Sequence, residues 1–104
     1  MNQQIRKIVS ELKENISKKY KLHEMRLFGS TTRGDRTYGS DIDVFICLSE
    51  VNRIIEEDLF DTAYELELKY DCIIDLIVFD EKIYDGVYAQ LPIYQNILKE
   101  GIVV

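Results

Sequence analysis

Tryptophan is absent from this 104-residue chain, proline and histidine each occur once, and cysteine occurs twice. Each scarcity excludes something. A single proline, Pro92, leaves the rest of the chain free for uninterrupted helices and strands. Cys47 and Cys72 lie inside apolar runs and read as buried, reduced thiols; two cysteines without a neighbouring histidine make neither a disulfide framework nor a zinc site. The lone histidine, His23, falls in a polar link, reads as a surface residue and supports no catalytic triad. No apolar run approaches the roughly 20 residues of a membrane span. The N-terminal "MNQQIRKIVSELKEN" is charged and amphipathic, unlike a signal peptide, so the expectation is a cytoplasmic protein without a membrane partner. Positive charge is also short: the net charge is −6 and the pI about 4.7. A chain that neutralises many phosphates needs a basic stripe, so nucleic acid is not expected as a direct partner. No repeat or low-complexity segment is visible, and residues 1–104 read as a single domain.

The hydrophobic pattern supplies the elements. Ile5, Ile8, Val9, Leu12 and Ile16 recur at helical spacing, so residues 3–19 are expected to form an amphipathic helix. "MRLFG" reads as a short strand stopped by Gly29. "STTRGDRTYGS" reads as a loop with room for one helical turn. "DIDVFICL" alternates and then becomes continuously apolar, as a strand buried on both faces does. "VNRIIEEDLFDTAYELELKY" carries Ile55, Leu59, Ala63, Leu66 and Tyr70 on one stripe, a second helix. "CIIDLIVF" is a third strand, broken only by Asp75. Pro92 suits the first turn of a final helix and Gly101 its end. The expected fold is α+β, a small mixed β-sheet flanked by helices.

Three carboxylates interrupt this apolar pattern. Asp41 and Asp43 are two residues apart on one strand and therefore share a face. Asp75 interrupts the third strand in the same way. If those strands are neighbours, the three acids converge, and a hard cation such as Mg²⁺ takes oxygen ligands of that type. Two such ions roughly 4 Å apart can bracket an in-line displacement at phosphorus. Gly29 then lets backbone approach a phosphate, Ser30 offers a hydroxyl donor, and Arg33 a charged fork. The competing readings are structural: an ordinary Gly-Ser turn, a solvated strand end at Asp41 and Asp43, and a core carboxylate at Asp75 paired with an arginine such as Arg26.

Gly29-Ser30, ten intervening residues and Asp41-Ile42-Asp43 resemble the signature of the DNA polymerase-β-like nucleotidyltransferase superfamily. Within it, "GSTTRGDRTYGSDIDV" is similar to the minimal nucleotidyltransferase (MNT) proteins, and the likeness extends from about Arg26 to Phe79. The resemblance implies the polymerase-β-like fold, with metal ligands at Asp41, Asp43 and Asp75. The first two would hold a nucleotide-bound Mg²⁺, all three a second one, and Asp75 would assist deprotonation of the acceptor hydroxyl. Gly29 and Ser30 would bind the triphosphate of ATP. It further implies an antitoxin of a type VII (HEPN/MNT) toxin–antitoxin pair, a protein adenylyltransferase that moves AMP from ATP to a tyrosine of a HEPN ribonuclease toxin and forms a hetero-oligomer with it. Two alternatives stand beside this: a non-catalytic antitoxin acting by occlusion, and a nucleotidyltransferase acting on a small-molecule hydroxyl.

Overall fold

Every residue of the first amphipathic stripe is buried, and the helix that carries it, α1, spans Gln3–Ser17. The computed structural model describes residues 3–29 and 41–104. Ser30 and Arg33, expected at the nucleotide site, lie outside the described residues, as does most of the loop that follows Gly29. After α1 come β1 (Leu22–Phe28), β2 (Ile42–Leu48), α2 (Arg53–Tyr70) and β3 (Ile74–Asp80). A 3-10 turn at Glu81–Tyr84, a short α3 (Gly86–Ala89), α4 (Pro92–Glu100) and β4 (Ile102–Val103) complete the order.

The described strands form one sheet in the order β3-β2-β1-β4. β1 runs antiparallel to both β2 and β4, and β3 runs parallel to β2. The mixed sheet is therefore as expected, and its parallel pair is joined by α2, because a parallel return needs a crossover. Three details differ from the sequence reading. β1 begins at Leu22, so His23 is a strand residue and not part of a link. Cys72 precedes β3 instead of opening it. The short β4 escaped notice because two residues carry no readable alternation.

The core follows from alternation. Ile42, Val44, Ile46 and Leu48 of β2, with Met25 and Leu27 of β1 and Ile74 and Leu76 of β3, meet α1 and α2 in one buried cluster. Each such side chain contributes roughly 1.5–3 kcal/mol by leaving water. On the opposite face, Phe45 and Cys47 pack with Ile83, Tyr94 and Ile97 in a smaller cluster under the 3-10 turn and α4. β2 is thus buried on both faces beyond Asp43, as its apolar run predicts.

Local signals hold these elements in place. The Asn52 side chain accepts the Ile55 amide at 2.9 Å and starts α2, a cap of the kind worth about 1 kcal/mol. Asp71 closes the helix in the left-handed region, with φ of 52°. Two polar clasps join α2 to the segment of α1. The Tyr20 hydroxyl and Lys19 ammonium both donate to Asp58, at 2.5 and 3.2 Å. Lys69 and Tyr70 both donate to Glu11, at 2.9 and 3.1 Å.

Candidate active site

Asp43 and Asp75 are register partners on the parallel strands β2 and β3. Register partners point to the same side of a sheet and stand about 4.8 Å apart at the backbone. Their immediate neighbours in both strands, Ile42 and Ile74, are buried in the core, so both carboxylates belong to the other face. Cys72 packs against the same core as Ile74, which carries the alternation back past the strand end and puts Ile73 on the side of Asp75. The Ile42 amide donates to the Ile73 carbonyl at 2.8 Å, fixing the two strand beginnings against each other. Asp41 lies one residue before β2, two before Asp43, and is exposed. The three acids stand at one end of the sheet.

Gly29 borders this end from β1. It follows Phe28, the antiparallel partner of Asp43, and has a φ of +66°, in the region that only glycine enters without strain. A β-carbon at Gly29 would lie 2.5 Å from Asp43 Oδ2. The bare α-carbon therefore makes room for the aspartate. Gly29, expected from the sequence to face a phosphate, lies against the Asp43 carboxylate in the structure.

The expected convergence is met by the backbone and only in part by the side chains. Among the described residues, no three carboxylate, imidazole or thiol groups are gathered closely enough to hold a metal ion as they stand. Like charges repel until a cation neutralises them, and Asp41 precedes the ladder that holds Asp43 and Asp75. The donor set itself, carboxylates exposed at Asp41 and Asp75 and half-buried at Asp43, fits a hard divalent cation.

The core-carboxylate reading of Asp75 is overturned. Asp75 is exposed, and Arg26 is engaged elsewhere. Its Nε lies 3.5 Å from Glu24 Oε1, two residues back on the same face of β1. Both atoms are buried without a hydrogen bond among the described residues. Two further residues were missed. Glu67 accepts the Ile74 amide at 2.8 Å and so ties the start of β3 to the last turns of α2. The signal was available, since an acid near a helix C-terminus opposes the dipole and needs another reason to be there. His23, at the far end of the sheet, contacts Ser49 Oγ at 3.0 Å and Glu81 Oε2 at 3.2 Å through the same nitrogen, Nε2. A catalytic triad would use both ring nitrogens, so this contact is not one.

The family model for the nucleotidyltransferase domain matches residues 5–104. The chain belongs to this family. Among its relatives, this nucleotidyltransferase is 37% identical to the "Putative protein adenylyltransferase MJ0141" of Methanocaldococcus jannaschii, over 77% of this chain and 84% of the relative. Its fold is also similar to solved structures. One is a toxin–antitoxin with AMP-PNP, at 25% identity and a TM-score of 0.63, covering 94% of this chain and 69% of the other. Another is a chain of the tri-AMPylated Shewanella oneidensis HEPN toxin in complex with MNT antitoxin. There the identity is 27% and the TM-score 0.55, covering 98% of this chain and 71% of that one. The resemblance to minimal nucleotidyltransferases is borne out, and with it the fold class. Among the described residues no helix is long and apolar enough to cross a membrane.

Proposed function

We propose that this nucleotidyltransferase is the antitoxin of a HEPN/MNT pair and transfers AMP from ATP to a tyrosine hydroxyl of its HEPN ribonuclease partner. The observation that carries the reading is the Asp43–Asp75 register pair beside Gly29 at one end of the sheet. The likeness to toxin–antitoxin structures supports it. In the reaction, the tyrosine oxygen forms a bond to the α-phosphorus, the bond from that phosphorus to the bridging oxygen breaks, and pyrophosphate leaves. The hydroxyl proton passes to Asp75, which lies on the β3 side of the site, away from Gly29. Gly29 and Ser30 cradle the triphosphate, with Arg33 adding charge. Asp41, Asp43 and Asp75 would hold Mg²⁺, which supplies charge stabilisation on the phosphoryl oxygens.

The test is mass spectrometry of the partner HEPN protein after incubation with this chain, ATP and Mg²⁺. One or more adenylyl additions on a tyrosine are expected. An unmodified toxin across a range of divalent metals and nucleotides would overturn the reading.

A further inference from the structure

The chain passes from α2 to β3 through Asp71, Cys72 and Ile73, and the amides of this link converge on Glu67. The Asp71 and Cys72 amides both donate to the Glu67 carbonyl. Helix ends leave carbonyls in need of donors, so these two contacts belong to an ordinary cap. The next contact does not. The Ile74 amide donates to the Glu67 carboxylate at 2.8 Å. That amide shares its peptide group with the Ile73 carbonyl, which accepts from the Ile42 amide of β2 at 2.8 Å. The two ends of a trans peptide point in opposite directions, so the Ile74 amide is aimed outward from β2. β3 is the edge of the described sheet, where an amide has no strand to pair with. Glu67 supplies the acceptor.

One line of hydrogen bonds therefore crosses the strand beginnings, from Glu67 through the Ile73–Ile74 peptide to Ile42. Ile74 immediately precedes Asp75, and Ile42 immediately precedes Asp43, its register partner. The line pins both strands one residue before the acids. α2 packs on the core face with Ile74, and Asp75 belongs to the other face, so Glu67 acts on Asp75 through the backbone. We infer that Glu67 is a positioning residue: by holding the Ile73–Ile74 peptide it sets Asp75 beside Asp43 for a shared divalent cation. The inference rests on the reading of these aspartates as ligands and adds the residue that orients them. Groups that orient metal ligands from outside contribute about 10–100-fold in metal affinity. A half-buried acid near a helix C-terminus, against the dipole, is then accounted for.

The experiment titrates the full chain with Mn²⁺ alone and follows paramagnetic broadening of its amide signals, which needs neither nucleotide nor toxin. Broadening centred on Asp43 and Asp75 is expected in the wild type. Glu67→Met keeps the length of the side chain and loses the acceptor; it should need about tenfold more Mn²⁺ for the same broadening. Glu67→Gln keeps an acceptor oxygen and should restore wild-type affinity. Asn52→Ala loosens α2 at its other end, so it controls for stability and should bind as the wild type does. If Glu67→Met does not fold, Glu67→Asp withdraws the acceptor by one methylene and should show the weakening instead. Four outcomes would overturn the inference. These are wild-type affinity in the folded Met or Asp variant, a Gln variant as weak as these, an equally weakened Asn52→Ala, or no broadening at the two aspartates in the wild type. Mn²⁺ binding in the expected pattern without adenylyl transfer would instead sink the proposed reaction and leave the role of Glu67 standing.

Discussion

The two faces of the same sheet have opposite fates, and β2 shows the contrast residue by residue. Ile42, Val44, Ile46 and Leu48 point to one side and vanish under α1 and α2. Asp41, Asp43, Phe45 and Cys47 alternate with them; the latter two are buried under α4 and the 3-10 turn, whereas Asp43 is half-buried and Asp41 exposed. The carboxylates stand where the cover stops. One strand thus carries core along its whole length on one face and, on the other, only beyond Asp43. The separation is physical: a carboxylate tolerates its position only where water or a cation can reach it.

Charge removal on the open face should produce the largest effect on function. Asp43→Asn keeps shape and volume and relieves repulsion among the acids, so the fold is expected to tolerate it or gain slightly. Adenylyl transfer should fall at least 100-fold, on the order of other losses of transition-state charge stabilisation. Thermal unfolding without metal and transfer with Mg²⁺, measured on one preparation, check both halves. A strongly destabilised variant would assign Asp43 a structural role. Full toxin neutralisation by Asp41→Asn/Asp43→Asn would instead favour the occluding antitoxin.

The closed face should show the reverse. Ile46 is fully buried, and Ile46→Ala removes core volume that its neighbours cannot refill, a loss of about 2–5 kcal/mol in unfolding free energy. Denaturant titration measures it. If the residual folded fraction still transfers AMP at the normal rate per folded molecule, the two faces are independent.

Gly29→Ala probes the border between them. The positive φ costs a non-glycine residue about 1–2 kcal/mol, and the new methyl displaces the Asp43 carboxylate. Both stability and transfer should fall together, unlike either variant above. A change in stability alone would mean that the Asp43 position is not set from Gly29.

The smallest effect concerns acid. The Tyr20 hydrogen bond holds the Asp58 carboxyl below its ordinary range, and the Lys69 hydrogen bond does the same for Glu11. A depressed carboxylate contributes stability that is present above its unfolded pKa and is lost as pH falls through the folded value. The clasps should therefore weaken below about pH 4. They are largely exposed, so the contribution is modest. Thermal melts of wild type and Glu11→Gln/Asp58→Asn should converge on acidification and differ slightly at neutral pH. A gap that widens in acid would reverse the assigned sign.

Much of this was legible in the chain. The 3.6-residue stripes of α1 and α2, the Asn52 start, Pro92 and Gly101 all carry local chemistry, and local chemistry is readable without neighbours. Alternation placed Asp41 and Asp43 on one face and Asp75 on its own strand. Period and side-chain type were enough for the elements, the family likeness and the identity of the candidate acids. The sheet order was not readable, because register between Asp43 and Asp75 exists only once α2 has carried β3 back beside β2. Nor was the Ile74 amide on Glu67 or the closeness of Gly29 to Asp43, since each joins groups whose distance the fold sets. Which side of α2 turns inward was readable from the stripe of Leu59, Ala63 and Leu66; what it meets there was not, because only the packing of the helix on the sheet brings Ile74 and Leu76 into the same cluster.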